Sequence, residues 1–123
     1  MTRRLLVVDD DEDVRRLAVM SLARVGGYEV TSAASGAECL AQLAEELPDA
    51  VILDVMMPVM DGPTTLNAIR DDPHTHAIPV LFLTAGVVEA DMDRLRSLQV
   101  SGVLSKPFDP LTLPQEVASV LGW

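Results

Sequence analysis

The chain has 123 residues, 49% of them hydrophobic, and a formal net charge of −10. That length suits one domain over residues 1–123 with a real buried core, and the acidic balance speaks against direct binding to nucleic acid or an anionic membrane, since both gain affinity from Lys and Arg. A lone cysteine, Cys39, leaves no internal disulfide, no apolar run reaches a membrane span, and "MTRRLLVV" meets acidic residues too soon for a signal peptide. A soluble, cytoplasmic protein is expected.

In chain order, "RLLVV" (4–8) predicts the first strand and runs straight into Asp9, Asp10, Asp11, Glu12 and Asp13. Leu17, Met20 and Ala23 to Val25 then recur at helical spacing, closed by Gly26-Gly27. "YEVTSA" (28–33) is the second strand, followed by a helical face of Leu40, Leu43 and Leu47 that Pro48 ends. "AVILD" (50–54) precedes Leu66 and Ile69 and the Asp72-Pro73 turn. "PVLFLT" (79–84) precedes Met92, Leu95 and Leu98, and "GVLS" (102–105) precedes Leu113, Val117, Val120 and Leu121. Strand and helix thus alternate throughout. Three of the strands are apolar nearly end to end, which suits strands covered on both faces, and hence an α/β fold with a mostly parallel sheet between helices.

In such a sheet the strands point one way and ligands collect at their carboxyl ends. The residues there are Asp9 and Asp10, Asp54, Thr84 and Ala85, and Lys106-Pro107. Carboxylates brought that close repel, and the repulsion either raises a pKa or draws in a cation. A donor set of oxygens without His or Cys suits a hard divalent ion such as Mg²⁺. Asp11, Glu12 and Asp13 read instead as helix-capping and dipole residues, with Glu12–Arg16 and Asp11–Arg15 spaced as solvated ion pairs.

"LLVVDD", "VILDVMMPVMDG", "PVLFLTA" and "SKPF" fall in an order and spacing that resembles the receiver domains of two-component response regulators, across essentially the whole chain. The resemblance implies a doubly wound (βα)5, flavodoxin-like fold with strand order 2-1-3-4-5. It implies transfer of a phosphoryl group onto Asp54 from a sensor histidine kinase or a histidine phosphotransfer protein. Mg²⁺ is then held by Asp10, Asp54 and the backbone carbonyl of Met56, with Asp9 acting largely through water. Thr84, with the Ala85 amide beside it, engages the phosphoryl group, Lys106 pairs with it, and Lys106-Pro107 is the peptide that is usually cis in the family. Such a domain catalyses its own phosphorylation and is not a turnover enzyme. Its output is a downstream protein target or an attached output domain, according to whether it stands alone or belongs to a longer regulator or hybrid kinase.

The departures from the family pattern carry expectations of their own. Val103 stands where an aromatic or histidine is usual, so switching is expected in the loop from Thr84 through Glu89, with Gly86 giving it freedom, and little in the fifth strand. Met56 and Gly86 offer nothing to position a water, so self-dephosphorylation should be slow. Two other readings fail on single features: an aspartyl-phosphate hydrolase needs an acid where Met56 stands, and a flavodoxin's phosphate loop cannot be "DDDEDV". Met56, Met57 and Met60 read as packing over the acidic site, His74 and His76 as a solvated turn, and Cys39 as inert core.

Overall fold

A computed structural model describes residues 2–85, 95 and 98–123. The strands are β1 (Arg4–Val8), β2 (Glu29–Ala33), β3 (Ala50–Asp54), β4 (Val80–Thr84) and β5 (Gly102–Ser105). All pair in parallel in the order β2-β1-β3-β4-β5. Only β2 and β4 differ from the sequence reading, each starting one residue later. The described helices are α1 (Glu12–Met20), continued by a π-helical turn at Ser21–Val25, then α2 (Gly36–Glu45), α3 (Gly62–Asp71) and α4 (Leu113–Leu121). The helix expected through Met92 falls outside the described residues, although Leu95 is buried and Leu98 packs on the core.

Alternate residues of each strand feed opposite faces of the sheet. Leu6, Val8, Val51, Leu53 and Phe82 meet Cys39 and Leu43 of α2 and Leu66 and Ile69 of α3. Leu5, Val7, Ile52, Leu81 and Leu83 meet Ala18 and Leu22 on the α1 side and Leu113 and Val117 of α4. Covered from both sides, β3 and β4 are buried at every position, which is why they are apolar up to their last residues, Asp54 and Thr84. Cys39 is fully buried, and burial pushes its thiol pKa up to about 12, so it stays an unreactive core residue.

The first helix corrects the sequence reading. Leu17, Met20 and Val25 are exposed, and the residues buried instead are Ala18, Ser21 and Leu22. Both sets have helical spacing. Ala18 and Leu22 pack in the cluster beneath the sheet, while the buried Ser21 hydroxyl donates to the Pro110 carbonyl ahead of α4.

Three polar devices finish the fold. Arg70 donates to the carbonyls of Gln99 at 2.7 Å, His76 at 3.0 Å and Ile78 at 2.7 Å, tying α3 to the approaches of β4 and β5. Gln42 donates to the Ser32 carbonyl at 2.6 Å, masking part of the open side of edge strand β2. At the amino ends of the strands, Trp123 lies with its ring centroid 5.6 Å from that of Tyr28, and Arg3 sits 4.3 Å over the indole. His74 and His76 are both exposed in the turn after α3, as expected.

Candidate functional site

The opposite edge of the sheet carries the charge. Asp9 follows β1 directly and stays buried, its N–H extending the ladder to the Ala33 carbonyl at 3.1 Å. Its Oδ1 accepts the Asp11 N–H at 2.9 Å, which turns the chain toward α1. Asp11 caps that helix, accepting the N–H groups of Asp13 at 2.9 Å and Val14 at 3.2 Å, and Glu12 pairs with Arg16 at 2.9 Å. The expected Asp11–Arg15 pair does not form. The cap occupies the Asp11 carboxylate, and Arg15 instead donates from Nη1 to the backbone carbonyl of Asp9 at 2.9 Å.

Asp54 ends β3 beside β1, and the Lys106 ammonium reaches in just past β5. Lys106 Nζ lies 2.7 Å from Asp9 Oδ2, an ion pair without good hydrogen-bond angles, and donates to Asp54 Oδ1 at 3.1 Å. One oxygen from each of Asp9, Asp10 and Asp54 lies within 4.8 Å of the others, with Asp10 exposed and the other two buried. Burial first, and then the charge of Asp9, push the Asp54 pKa up to about 6, while Lys106 pulls it back in part. Burial also opposes the charge on Lys106, but Asp9 and Asp54 outweigh it and hold the ammonium's pKa above its ordinary value. Thr84 ends β4 with its carbonyl accepting the Lys106 N–H at 2.7 Å. Its hydroxyl is buried and has no hydrogen-bond partner among the described residues. Ala85 follows it, exposed, and Lys106-Pro107 is cis. Three converging carboxylates with only oxygen donors, beside an unpaired buried hydroxyl, fit a small hard cation and an anionic ligand.

The loop from Val55 to Asp61 borders this edge. Gly62 donates to the Val55 carbonyl at 2.8 Å, and a Cβ on Gly62 would stand 2.5 Å from the Asp54 carbonyl oxygen, so the start of α3 closes directly on the backbone of Asp54. Met57 is buried and Met60 half-buried, as packing requires. Met56 is 73% exposed and packs over nothing, which corrects the expectation for that residue. Val59 has φ 69° at the centre of a three-residue turn closed by Met60 N–H to the Pro58 carbonyl at 2.7 Å. A fully exposed β-branched residue in that conformation gains no packing to offset its strain. Val59→Gly is therefore expected to stabilise the protein by about 1 kcal/mol in urea unfolding; a loss of stability would mean that the valine is not strained.

The structure thus brings together Asp9, Asp10, Asp54 and Lys106 and sets Thr84 next to them through the Lys106 backbone. The loop expected to switch, Thr84 through Glu89, lies outside the described residues beyond Ala85. Val103 is half-buried against the core, opposite Phe82 in the β4–β5 register. Arg15 is the residue that sequence reasoning missed, since helical spacing assigned it to Asp11.

A family model described as the response regulator receiver domain matches residues 5–118. The response regulator PleD of Caulobacter vibrioides is 43% identical in an alignment 123 positions long that covers 98% of this chain and 26% of that protein. The alkaline phosphatase synthesis transcriptional regulatory protein PhoP of Bacillus subtilis is 35% identical over 98% of this chain and 49% of its own length. The chain therefore spans about a quarter to a half of the curated relatives it matches. Among solved structures, the chemotaxis protein CheY4 of Vibrio cholerae superposes with a TM-score of 0.88 at 33% identity, covering 98% of this chain and 99% of that one. The N-terminal domain of a response regulator receiver protein from Methanoculleus marisnigri gives 0.79 at 38% identity, covering 100% of this chain and 99% of that one. With the family model spanning residues 5–118 and full-length superposition on solved receiver proteins at 33% and 38% identity, the chain belongs to the response regulator receiver domain family.

Proposed function

We propose that residues 1–123 act as one receiver unit that accepts a phosphoryl group on Asp54 from a histidine kinase or phosphotransfer protein of the same cytoplasm. The observation that carries this is the meeting of Asp9, Asp10, Asp54 and Lys106 at one sheet edge. A carboxylate oxygen of Asp54 forms the new P–O bond as the P–N bond of a phosphohistidine breaks, and the imidazole leaves with the bonding electrons. Lys106 moves from pairing Asp54 to pairing the phosphoryl oxygens, keeping its hold on Asp9. The buried Thr84 hydroxyl and the Ala85 amide donate to the same group. Asp9, Asp10, Asp54 and the Met56 carbonyl would hold Mg²⁺. When bound, that ion neutralises negative charge on the carboxylates and on the phosphoryl oxygens. Met56 presents only an exposed thioether beside Asp54, so hydrolysis of the acyl phosphate is slow. The output is a protein surface read by a downstream target or an attached output domain, with no direct contact to nucleic acid or membrane. No described helix is long and apolar enough to cross a membrane.

Incubation with Mg²⁺ and acetyl phosphate, followed by intact mass measurement, should give one phosphoryl adduct that vanishes in Asp54→Asn. An equal adduct in that variant would sink the assignment.

A further inference from the structure

Arg15 is half-buried on α1, next to the acidic edge, and it ignores the carboxylate four residues before it. Its guanidinium reaches back six residues to the neutral backbone carbonyl of Asp9 at 2.9 Å. That carbonyl belongs to the peptide joining Asp9 to Asp10. The rest of Asp9 is already fixed, with its N–H on the Ala33 carbonyl, its Oδ1 on the Asp11 N–H and its Oδ2 on Lys106. The Asp10 side chain is exposed and, among the described residues, meets only the neighbouring carboxylates of Asp9 and Asp54, so the plane of the Asp9–Asp10 peptide helps set where its carboxylate projects. A planar, always-charged guanidinium suits the task, because it holds a carbonyl in a defined direction without being titrated away.

We propose that Arg15 is a positioning residue: by holding the Asp9 carbonyl it aims the Asp10 carboxylate at the cation site shared with Asp9 and Asp54. This rests on the proposed function, since it presumes that the three carboxylates bind Mg²⁺. It differs in sign from a simple charge effect. A cation beside the site repels Mg²⁺, so deleting a mere bystander charge would tighten metal binding, whereas deleting a positioning contact loosens it. Partners that orient metal ligands commonly contribute at least tenfold to affinity.

The test is calorimetric titration of Mg²⁺ into the intact wild-type chain, Arg15→Ala and Arg15→Lys, with the Asp10 and Asp11 amide resonances followed in the metal-free proteins. Arg15→Ala should weaken Mg²⁺ binding about tenfold, with Arg15→Lys in between, and both amides should shift before metal is added. Tighter binding in Arg15→Ala, or unchanged binding with only a lower melting temperature, overturns the proposal while leaving the phosphoacceptor reading intact. A wild-type chain that takes up no Mg²⁺ at tens of millimolar fails the metal reading itself, and the role of Arg15 with it.

Discussion

Lys106→Ala should destabilise the metal-free protein by about 3–5 kcal/mol near pH 7.5. The ammonium is the cation that the described structure places between two carboxylates whose side chains are only 2% and 5% exposed, and its own side chain is 15% exposed. Removing it leaves Asp9 and Asp54 facing one another with their repulsion uncompensated. Lys106→Met keeps most of the side-chain volume, so a similar loss in that variant assigns the effect to charge rather than to packing. Urea unfolding in the presence of a chelator measures both. Acidification toward pH 5 should restore part of the loss, since Asp54 can then take up a proton. A deficit under about 1 kcal/mol, the range of exposed pairs, would mean that the ion pair does not hold this edge together.

Asp54→Asn should move stability the other way. The folded chain holds the Asp54 proton up to about 6, while an unfolded chain releases it near its ordinary value of 3.8. Below the lower value both states are protonated and nothing separates them. Between the two values the folded state binds more protons, so stability falls as pH rises, and above the upper value the whole cost remains. The gap corresponds to as much as about 3 kcal/mol at pH 7.5. Asparagine removes the charge and keeps an oxygen for Lys106, so the variant should gain up to that amount at pH 7.5 and almost nothing near pH 4. Millimolar Mg²⁺ should raise the wild-type melting temperature by mass action and narrow the difference. Asp10→Ala should match or exceed the metal-free wild type and lose the Mg²⁺ response. A wild type with flat stability from pH 4 to 7.5 would show that Asp54 carries no such cost.

What could be read from the sequence follows from how each residue interacts. The central strands were legible because burial on both faces leaves apolar residues at all but their last positions, and the polar residues at their ends stood out against that background. The buried face of α1 and the turn after it was not, because the small Ala18 and Ser21 are buried while the larger Leu17 and Met20 face outward. Apolar size misled there. Arg15 was hidden for a related reason: spacing ranks neighbours along the helix, but the Asp11 carboxylate was already committed to the helix cap. The left-handed backbone at Val59 had no signal in its residue type, since a β-branched side chain normally argues against it. The Thr84 hydroxyl, buried and without a partner among the described residues, is a sign that an anionic ligand belongs beside it, and it exists only once β4 and β5 are laid side by side.

The Trp123 contact with Tyr28 and Arg3 decides which optical signals this molecule can give. The chain contains one tryptophan. Its indole packs against a residue that precedes β2 and one that precedes β1, at the end of the sheet away from Asp9 and Asp54. Ultraviolet emission from this chain therefore follows the docking of α4 against the amino ends of the strands and reports global unfolding cleanly. Occupancy of the acidic edge should leave that emission unchanged, so a fluorescence titration with metal or phosphoryl donor is expected to return a flat line from a fully competent protein.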